Sequence, residues 1–221
     1  MEHTTDRLFA GPGPHRVVLA SNNPGKLREF AALLGPLGIA LVPQSELGVD
    51  EAEEPHPTFI ENALAKARHA SRHTGLPALA DDSGLCVAAL ADAPGVHSAR
   101  YAQRAGGEKS DRANNALLLR ELAGRADRRA RYVAVLALVR FADDPQPVFG
   151  EGVWHGEILA APRGGNGFGY DPLFLLPGLG RSAAELDPAE KNRASHRARA
   201  LNELLARLGG QPAAGRGAHG A

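Results

Sequence analysis

At 221 residues the chain is long enough for one domain with a substantial core or, at most, two small ones. Lysine plus arginine and aspartate plus glutamate each number 25, so no overall positive field draws it to nucleic acid or to an anionic membrane, which disfavours a bulk nucleic-acid binder. A single cysteine, Cys86, excludes an internal disulfide framework and any multi-cysteine zinc site, and no apolar run approaches the ~20 residues that a bilayer span needs. With an N-terminus, Met1 to Asp6, that lacks a basic and apolar signal sequence, these features predict a soluble, cytoplasmic protein with Cys86 as a small buried hydrophobe.

Residues 1–15 are polar and end in Gly11-Pro12-Gly13-Pro14, which predicts a flexible leader; residues 16–208 form the expected single domain, and the Gly, Ala and Pro-rich residues 209–221 a disordered tail. The β-branched run Arg16-Val17-Val18-Leu19-Ala20 suits a central strand. Ser21-Asn22-Asn23-Pro24-Gly25-Lys26 follows it, and then a helical pattern of Leu27, Phe30, Leu33 and Leu34. Strand, polar glycine-containing turn and helix aim backbone N–H groups at an anion. This is not a Walker A loop, because its first glycine is missing and Leu27 stands where Ser or Thr is needed. An ordinary strand-to-helix turn with a solvated lysine fits these residues equally well.

A second strand is expected at Ile39-Ala40-Leu41-Val42, before an acidic segment, Asp50-Glu51-Ala52-Glu53-Glu54. Thr58-Phe59-Ile60-Glu61 has the form of a capping box and opens a helix through about Thr74, with Glu53 and Glu54 close to its N-terminus. On that helix Asn62, Lys66, His69 and His73 share one polar face, and Phe59, Ala63, Ala67 and Ala70 make a narrow face fit to lie on a sheet. No Glu accompanies His69 and His73 in a zincin pattern, so the pair is not assigned a metal.

Pro77-Ala78-Leu79-Ala80 predicts a short buried strand that ends in Asp81-Asp82-Ser83-Gly84, and adjacent residues on a strand point to opposite sides. One aspartate can therefore face a ligand while the other anchors the loop. Clustered carboxylates are what Mg2+ needs, since it takes oxygen ligands and shares them with substrate phosphates; an Asx-turn that merely ends a strand is the plainer reading. Leu85-Cys86-Val87-Ala88 is expected as a further strand and Pro94-Gly95 as a turn, with Ser98, Arg100 and Tyr101 near a phosphate site or on a surface turn. A helix is predicted over 111–122, and Arg131 to Phe141 and Pro147 to Ile158 as a long hairpin, giving a mixed sheet.

In Gly164-Gly165-Asn166-Gly167-Phe168-Gly169-Tyr170-Asp171-Pro172 four glycines interleave with two aromatics. Such a backbone can bend closely around a flat ligand while a ring stacks on it, a contact worth roughly 1–3 kcal/mol per base. The alternative is a flexible hairpin with a tyrosine in the core. Asp187-Pro188-Ala189-Glu190 has the cap, the proline and the glutamate of a helix start, and one helix is predicted to about Leu208, with Lys191, Asn192, Ser195, His196 and Arg197 in its polar first half.

Six stretches taken in order, Ser21 to Lys26, Thr58 to Ala63, Ala80 to Leu85, Pro94 to Tyr101, Phe168 to Pro172 and Ser195-His196-Arg197, closely resemble the inosine/xanthosine triphosphate pyrophosphatase family. Asn22-Asn23-Pro24 departs from the Gly-Asn that the family often carries there. The resemblance implies an elongated α/β fold, a mixed sheet flanked by helices with two lobes around a central cleft, and a homodimer. It implies Mg2+-dependent hydrolysis of ITP, dITP and XTP to the monophosphate and pyrophosphate, cleansing the nucleotide pool. Carried onto this sequence, it makes Asp82 a metal ligand and the proton acceptor, Glu54 the second metal carboxylate, and Asp81 their support. Ser21, Asn22, Asn23, Pro24, Gly25, Lys26 and Lys66 would hold the triphosphate, and Ser83 would contact the substrate. Phe168, Gly169, Tyr170 and Asp171 would receive the base, with Lys191, His196 and Arg197 completing its pocket. A pyrophosphatase for modified pyrimidines, of the septum-inhibitor type, shares the general architecture, and a non-catalytic nucleotide sensor is the reading from another class.

Overall fold

A computed structural model of the protein describes residues 15–208; apart from His15, the predicted leader and tail lie outside the described residues. The strands are β1 (His15–Leu19), β2 (Ile39–Pro43), β3 (Ala78–Val87), β4 (Arg129–Val139), β5 (Val148–Ile158), β6 (Phe174–Leu176) and β7 (Arg181–Ser182). They form one sheet in the order β2-β1-β3-β4-β5-β6-β7. β1 runs parallel to β2 and β3, and every other pair is antiparallel, so the sheet is mixed as its long hairpin predicted. The helices are α1 (Pro24–Leu34), α2 (Phe59–Thr74), α3 (Tyr101–Arg104), α4 (Asp111–Glu121), α5 (Pro188–Ala194) and α6 (His196–Arg207).

Alternation along the central strands assigns each face its cover. Ala63, Ala67 and Ala70 of α2 are fully buried and pack on Val18, Ala78, Ala80, Val135 and Ala137. The small side chains let the helix axis come close to the sheet. On the opposite face Phe30 and Leu34 of α1 and Leu201 and Leu204 of α6 pack on Val17, Leu19, Leu79 and Leu136. Burying each such large side chain contributes about 1.5–3 kcal/mol. Gly150 and Gly152 of β5 stand directly beneath α6, where a Cβ would collide with the backbone of Ala200 and of His196 respectively. The start of α6, with His196 and Arg197, is thereby held against the sheet.

Two expectations are corrected. Asp81 and Asp82 do not end a strand, because β3 runs unbroken through Ser83 and Gly84 to Val87, with Asp81 paired to Leu136 and Asp82 to Val135. The long partner strand β4 carries the ladder onward. Gly84 serves close approach rather than a turn, since a Cβ there would collide with the Gly95 carbonyl and the Ser98 hydroxyl. The predicted helix from Asp187 to Leu208 is two helices broken at Ser195, whose backbone is extended (ψ 164°) and whose hydroxyl accepts from the Ala198 N–H at 3.3 Å. A serine side chain competes with the helix for its own N–H groups. Here it starts a new helix and turns His196 and Arg197 into the interior, where they are 2% and 5% exposed.

Candidate active site

A cleft of about 540 Å³ opens across the middle of β3, between the turn after β1, the acidic segment before α2, the segment Gly95–Arg100, and the glycine-rich loop. That is ample for a nucleotide-sized ligand. Ser21, Asn22, Asn23, Lys26, Glu54, Lys66, Asp81, Ser83, Phe168, Gly169, Tyr170, Asp171, His196 and Arg197 all line it. Pro24, Gly25, Asp82 and Lys191 are not among its lining residues: Pro24 is exposed on the turn, Gly25 is buried against Phe168, and Asp82 and Lys191 are buried beside Lys66 and Asp171, which line it.

The alternation of β3 sends its two carboxylates to opposite faces. On the α2 side, Lys66 Nζ lies 2.8 Å from Asp82 Oδ1 and 2.8 Å from Glu54 Oε1, so carboxylates from a strand and a loop converge on one ammonium. Arg100 closes the group by donating to the Glu54 carboxylate and, at 3.2 Å, to its carbonyl. Asn62 Nδ2 donates to Asp82 Oδ2 at 3.4 Å. Burial pushes the Asp82 carboxyl up, with the Glu54 charge adding to it, and Lys66 only partly opposes. Burial acts on Glu54 in the same sense, but Lys66 and Arg100 outweigh it and hold that carboxyl below its ordinary value. Lys66 is raised, because two carboxylates outweigh its burial.

On the α6 side Asp81, 1% exposed, meets Lys26 Nζ at 2.7 Å, Arg197 Nε at 3.3 Å and the Ser83 hydroxyl at 2.9 Å. Burial alone would raise the Asp81 carboxyl; Lys26 and Arg197 reverse this and hold it well below the carboxylate range. Its folded-state pKa is depressed, so its contribution to stability is present above the unfolded value near 3.8 and is lost as pH falls below that value. Asp81→Asn is therefore expected to flatten the acid limb of the stability curve below about pH 4 while lowering stability at neutral pH, because Lys26 and Arg197 lose their counter-charge. Denaturant unfolding at stepped pH checks this, and an unchanged acid limb would contradict it.

The turn after β1 differs from expectation in one respect. Asn23 caps α1 and accepts from the Gly25 and Lys26 N–H groups at 2.8 and 3.2 Å, and Pro24 has no N–H. The Gly25 and Lys26 N–H groups are thus already satisfied by a side chain, and what this turn offers the cleft is Ser21, Asn22 and the cationic end of Lys26.

At the other end, the Phe168 ring lies over Gly25, where a Cβ would collide with it. Lys191 Nζ sits 4.9 Å and Arg197 Cζ 5.2 Å from the ring centroid. Tyr170 and Asp171, predicted to receive a base, are buried supports. The Tyr170 hydroxyl donates to the Ser98 carbonyl at 2.9 Å, and Asp171 pairs with Lys191 at 2.7 Å and accepts from the Phe168 N–H at 2.9 Å. A Cβ on Gly167 would collide with the Asp171 carboxylate, which accounts for glycine at that position. His196 stacks on Tyr132 with ring centroids 4.6 Å apart and planes 8° from parallel. Burial and then Arg197 hold His196 well below its ordinary value. Among the described residues its Nδ1 has no hydrogen-bond partner.

Glu29 and Tyr132 were not legible as site residues. Glu29 is 3.0 Å from both Lys191 Nζ and Arg197 Nη1; the available signal was its i, i+3 spacing from Lys26 on α1. Tyr132 lies inside a run that reads only as core. His69 and His73 are engaged by backbone carbonyls, those of Asp50 and His69 respectively.

An α/β sheet whose central strand sets one carboxylate on each face beside a cleft, each met by a lysine from a flanking helix, with an aromatic loop closing the cleft, has the features of a site for a polyanionic ligand with a flat group attached. Residues 17–207 match the Ham1 family, and the chain belongs to it. Over 197 residues it is 73% identical to a dITP/XTP pyrophosphatase of Bordetella pertussis, with 89% of this chain and 92% of the relative covered. Over 194 residues it is 73% identical to the protein of the same name from Burkholderia pseudomallei, with 88% and 93% covered. The fold matches a HAM1 protein of Coxiella burnetii with a TM-score of 0.80 at 50% identity, covering 88% of this chain and 98% of that one.

Proposed function

We propose that the chain hydrolyses non-standard purine nucleoside triphosphates, ITP, dITP and XTP, at the bond between the α and β phosphates, and does so as a cytoplasmic homodimer. The observation that carries this is the convergence of Glu54 and Asp82 on Lys66 on one side of a cleft whose far end is lined by Phe168, His196 and Arg197, with Lys191 over the Phe168 ring.

The donor set suits Mg2+. Two carboxylate oxygens from separate elements meet at the Lys66 ammonium. That is the pattern of an ion bound by one or two carboxylates and completed by phosphates. Glu54 and Asp82 would hold it, and once bound it offsets charge on the phosphates as a Lewis acid. Asp82, whose carboxyl is raised by burial, takes the proton of the water whose oxygen attacks the α phosphorus; the bond to the β phosphate breaks and pyrophosphate leaves. Asp81 fixes Lys26 and Arg197. Lys26, Lys66 and the Ser21–Lys26 turn hold the triphosphate, with Ser83 beside them.

The base lies against Phe168 and the Gly169 backbone, backed by Tyr170 and Asp171. Arg197 already donates to Asp81, Glu29 and Ser83, which aims its remaining N–H groups. With His196, and with Lys191 supporting from its pairs with Glu29 and Asp171, it presents donors to a 6-oxo group, where the amine of adenine would leave them unpaired and be rejected.

Incubation with ITP, dITP, XTP, ATP and dTTP in Mg2+, with both phosphate products measured, tests this reading. Pyrophosphate from the three 6-oxo purines is expected. Orthophosphate as the product, or equal turnover of ATP, would refute it; hydrolysis of dTTP without ITP would move the protein to the pyrimidine-directed class.

A further inference from the structure

The first two turns of α4 hold both sides of the cleft mouth. Asp111 Oδ2 accepts from the Gly169 N–H at 2.7 Å, and Asn115 Nδ2, one turn later on the same face, donates to the Gly169 carbonyl at 2.8 Å. Both polar groups of that one residue are thus taken by a single helix. Gly169 has φ +64°, a conformation that leaves its peptide groups without the partners of regular structure, and it immediately follows the Phe168 ring. Between the two clamping residues, buried Asn114 accepts from the Ala102 N–H at 2.8 Å and donates to the Ala99 carbonyl at 3.3 Å. These backbone groups flank Arg100, which holds Glu54. A rigid element therefore ties the aromatic loop and the Arg100 segment at a fixed separation.

We propose that Asp111 and Asn115 are positioning residues that clamp the Gly169 peptide and so set where Phe168 meets the base. The inference rests on the proposed reading of the Phe168 loop as the base-receiving element. Asp111 does not touch the reacting atoms; it acts through Gly169. The plainer role, a carboxylate favouring the N-terminal end of a helix, predicts a change in stability and none in substrate discrimination.

Steady-state kinetics of the full-length enzyme with dITP and Mg2+ separate the two, with inorganic tripolyphosphate as a competitive inhibitor that has no base. Asp111→Ala is expected to raise KM for dITP about tenfold, equivalent to about 1.4 kcal/mol, with kcat within about twofold of wild type. The tripolyphosphate inhibition constant stays unchanged. Asp111→Asn, which keeps an acceptor for the Gly169 N–H, returns KM to within about threefold of wild type, and Asn115→Ala shifts KM in the same direction as Asp111→Ala. If Phe168→Ala raises KM for dITP and Asp111→Ala does not, the clamp is overturned while the base-loop reading stands. If Phe168→Ala leaves KM at the wild-type value, the base-loop reading itself fails and the inference falls with it. Equal weakening of dITP and tripolyphosphate by Asp111→Ala would also overturn it, as would a fall in melting temperature shared by both Asp111 variants with KM unmoved.

Discussion

Asp82→Asn is expected to lower kcat by about a thousandfold or more at saturating Mg2+, with the protein folded and its melting temperature close to that of wild type. The amide keeps an oxygen for Lys66 Nζ, now 2.8 Å from Asp82 Oδ1, so the side chain can stay in place. It cannot take a proton from water, and it brings no charge to a cation. Stability is spared because burial already disfavours the charged carboxylate at this position, more than Lys66 favours it; a neutral isostere removes that penalty along with the ion pair. Asp81→Asn differs in kind, since the Asp81 charge is favoured by Lys26 and Arg197 and its loss is felt in folding. The pair of variants, followed by pyrophosphate release and thermal unfolding, separates a reacting carboxylate from a supporting one. A near-normal rate in Asp82→Asn would remove Asp82 from the reaction.

Much of this site was legible because its signals are local. Thr58 and Asp187 mark helix starts by side chains that accept from N–H groups three residues on, and the alanine stripe of α2 declares a face that must lie on a sheet. The opposed orientations of Asp81 and Asp82 follow from strand geometry alone. What the sequence withheld depends on partners distant in the chain. Gly84 looked like a turn because its neighbour across the gap, Gly95, lies in another segment. The break at Ser195 was hidden because polar residues at i, i+4 fit one continuous helix as well as two, and only the packing of α6 on Gly150 and Gly152 demands the new axis. Tyr170 and Asp171 carry the chemistry of a ligand site in their side chains, yet the fold spends them on Ser98 and Lys191. Glu29 became visible only when α1 and α6 met across 168 positions of sequence.

Lys66→Met tests the metal assignment from the side of stability. The substitution keeps an apolar stem of similar length but leaves Asp82 with the weak Asn62 contact at 3.4 Å and Glu54 with Arg100 alone. Removing one partner of a buried ionic group costs about 3–5 kcal/mol; the lower end is expected because the Glu54 side chain is 24% exposed, which corresponds to a drop in melting temperature of about 6–12 °C for a chain of this size. The loss should shrink as pH falls, since Asp82 is already pushed toward its neutral form and a protonated Asp82 no longer repels Glu54. It should also shrink in millimolar Mg2+, because the two carboxylates, freed of the ammonium that bridges them, present their oxygens to a divalent ion, and an ion that binds only the folded state stabilises it by mass action. The wild-type protein, with Lys66 in that position, is expected to respond far less to Mg2+ without nucleotide. Adding Glu54→Gln to Lys66→Met should abolish most of the Mg2+ response while recovering part of the stability lost. An equal Mg2+ shift in wild type, Lys66→Met and the double variant would show that Glu54 and Asp82 do not form the metal site.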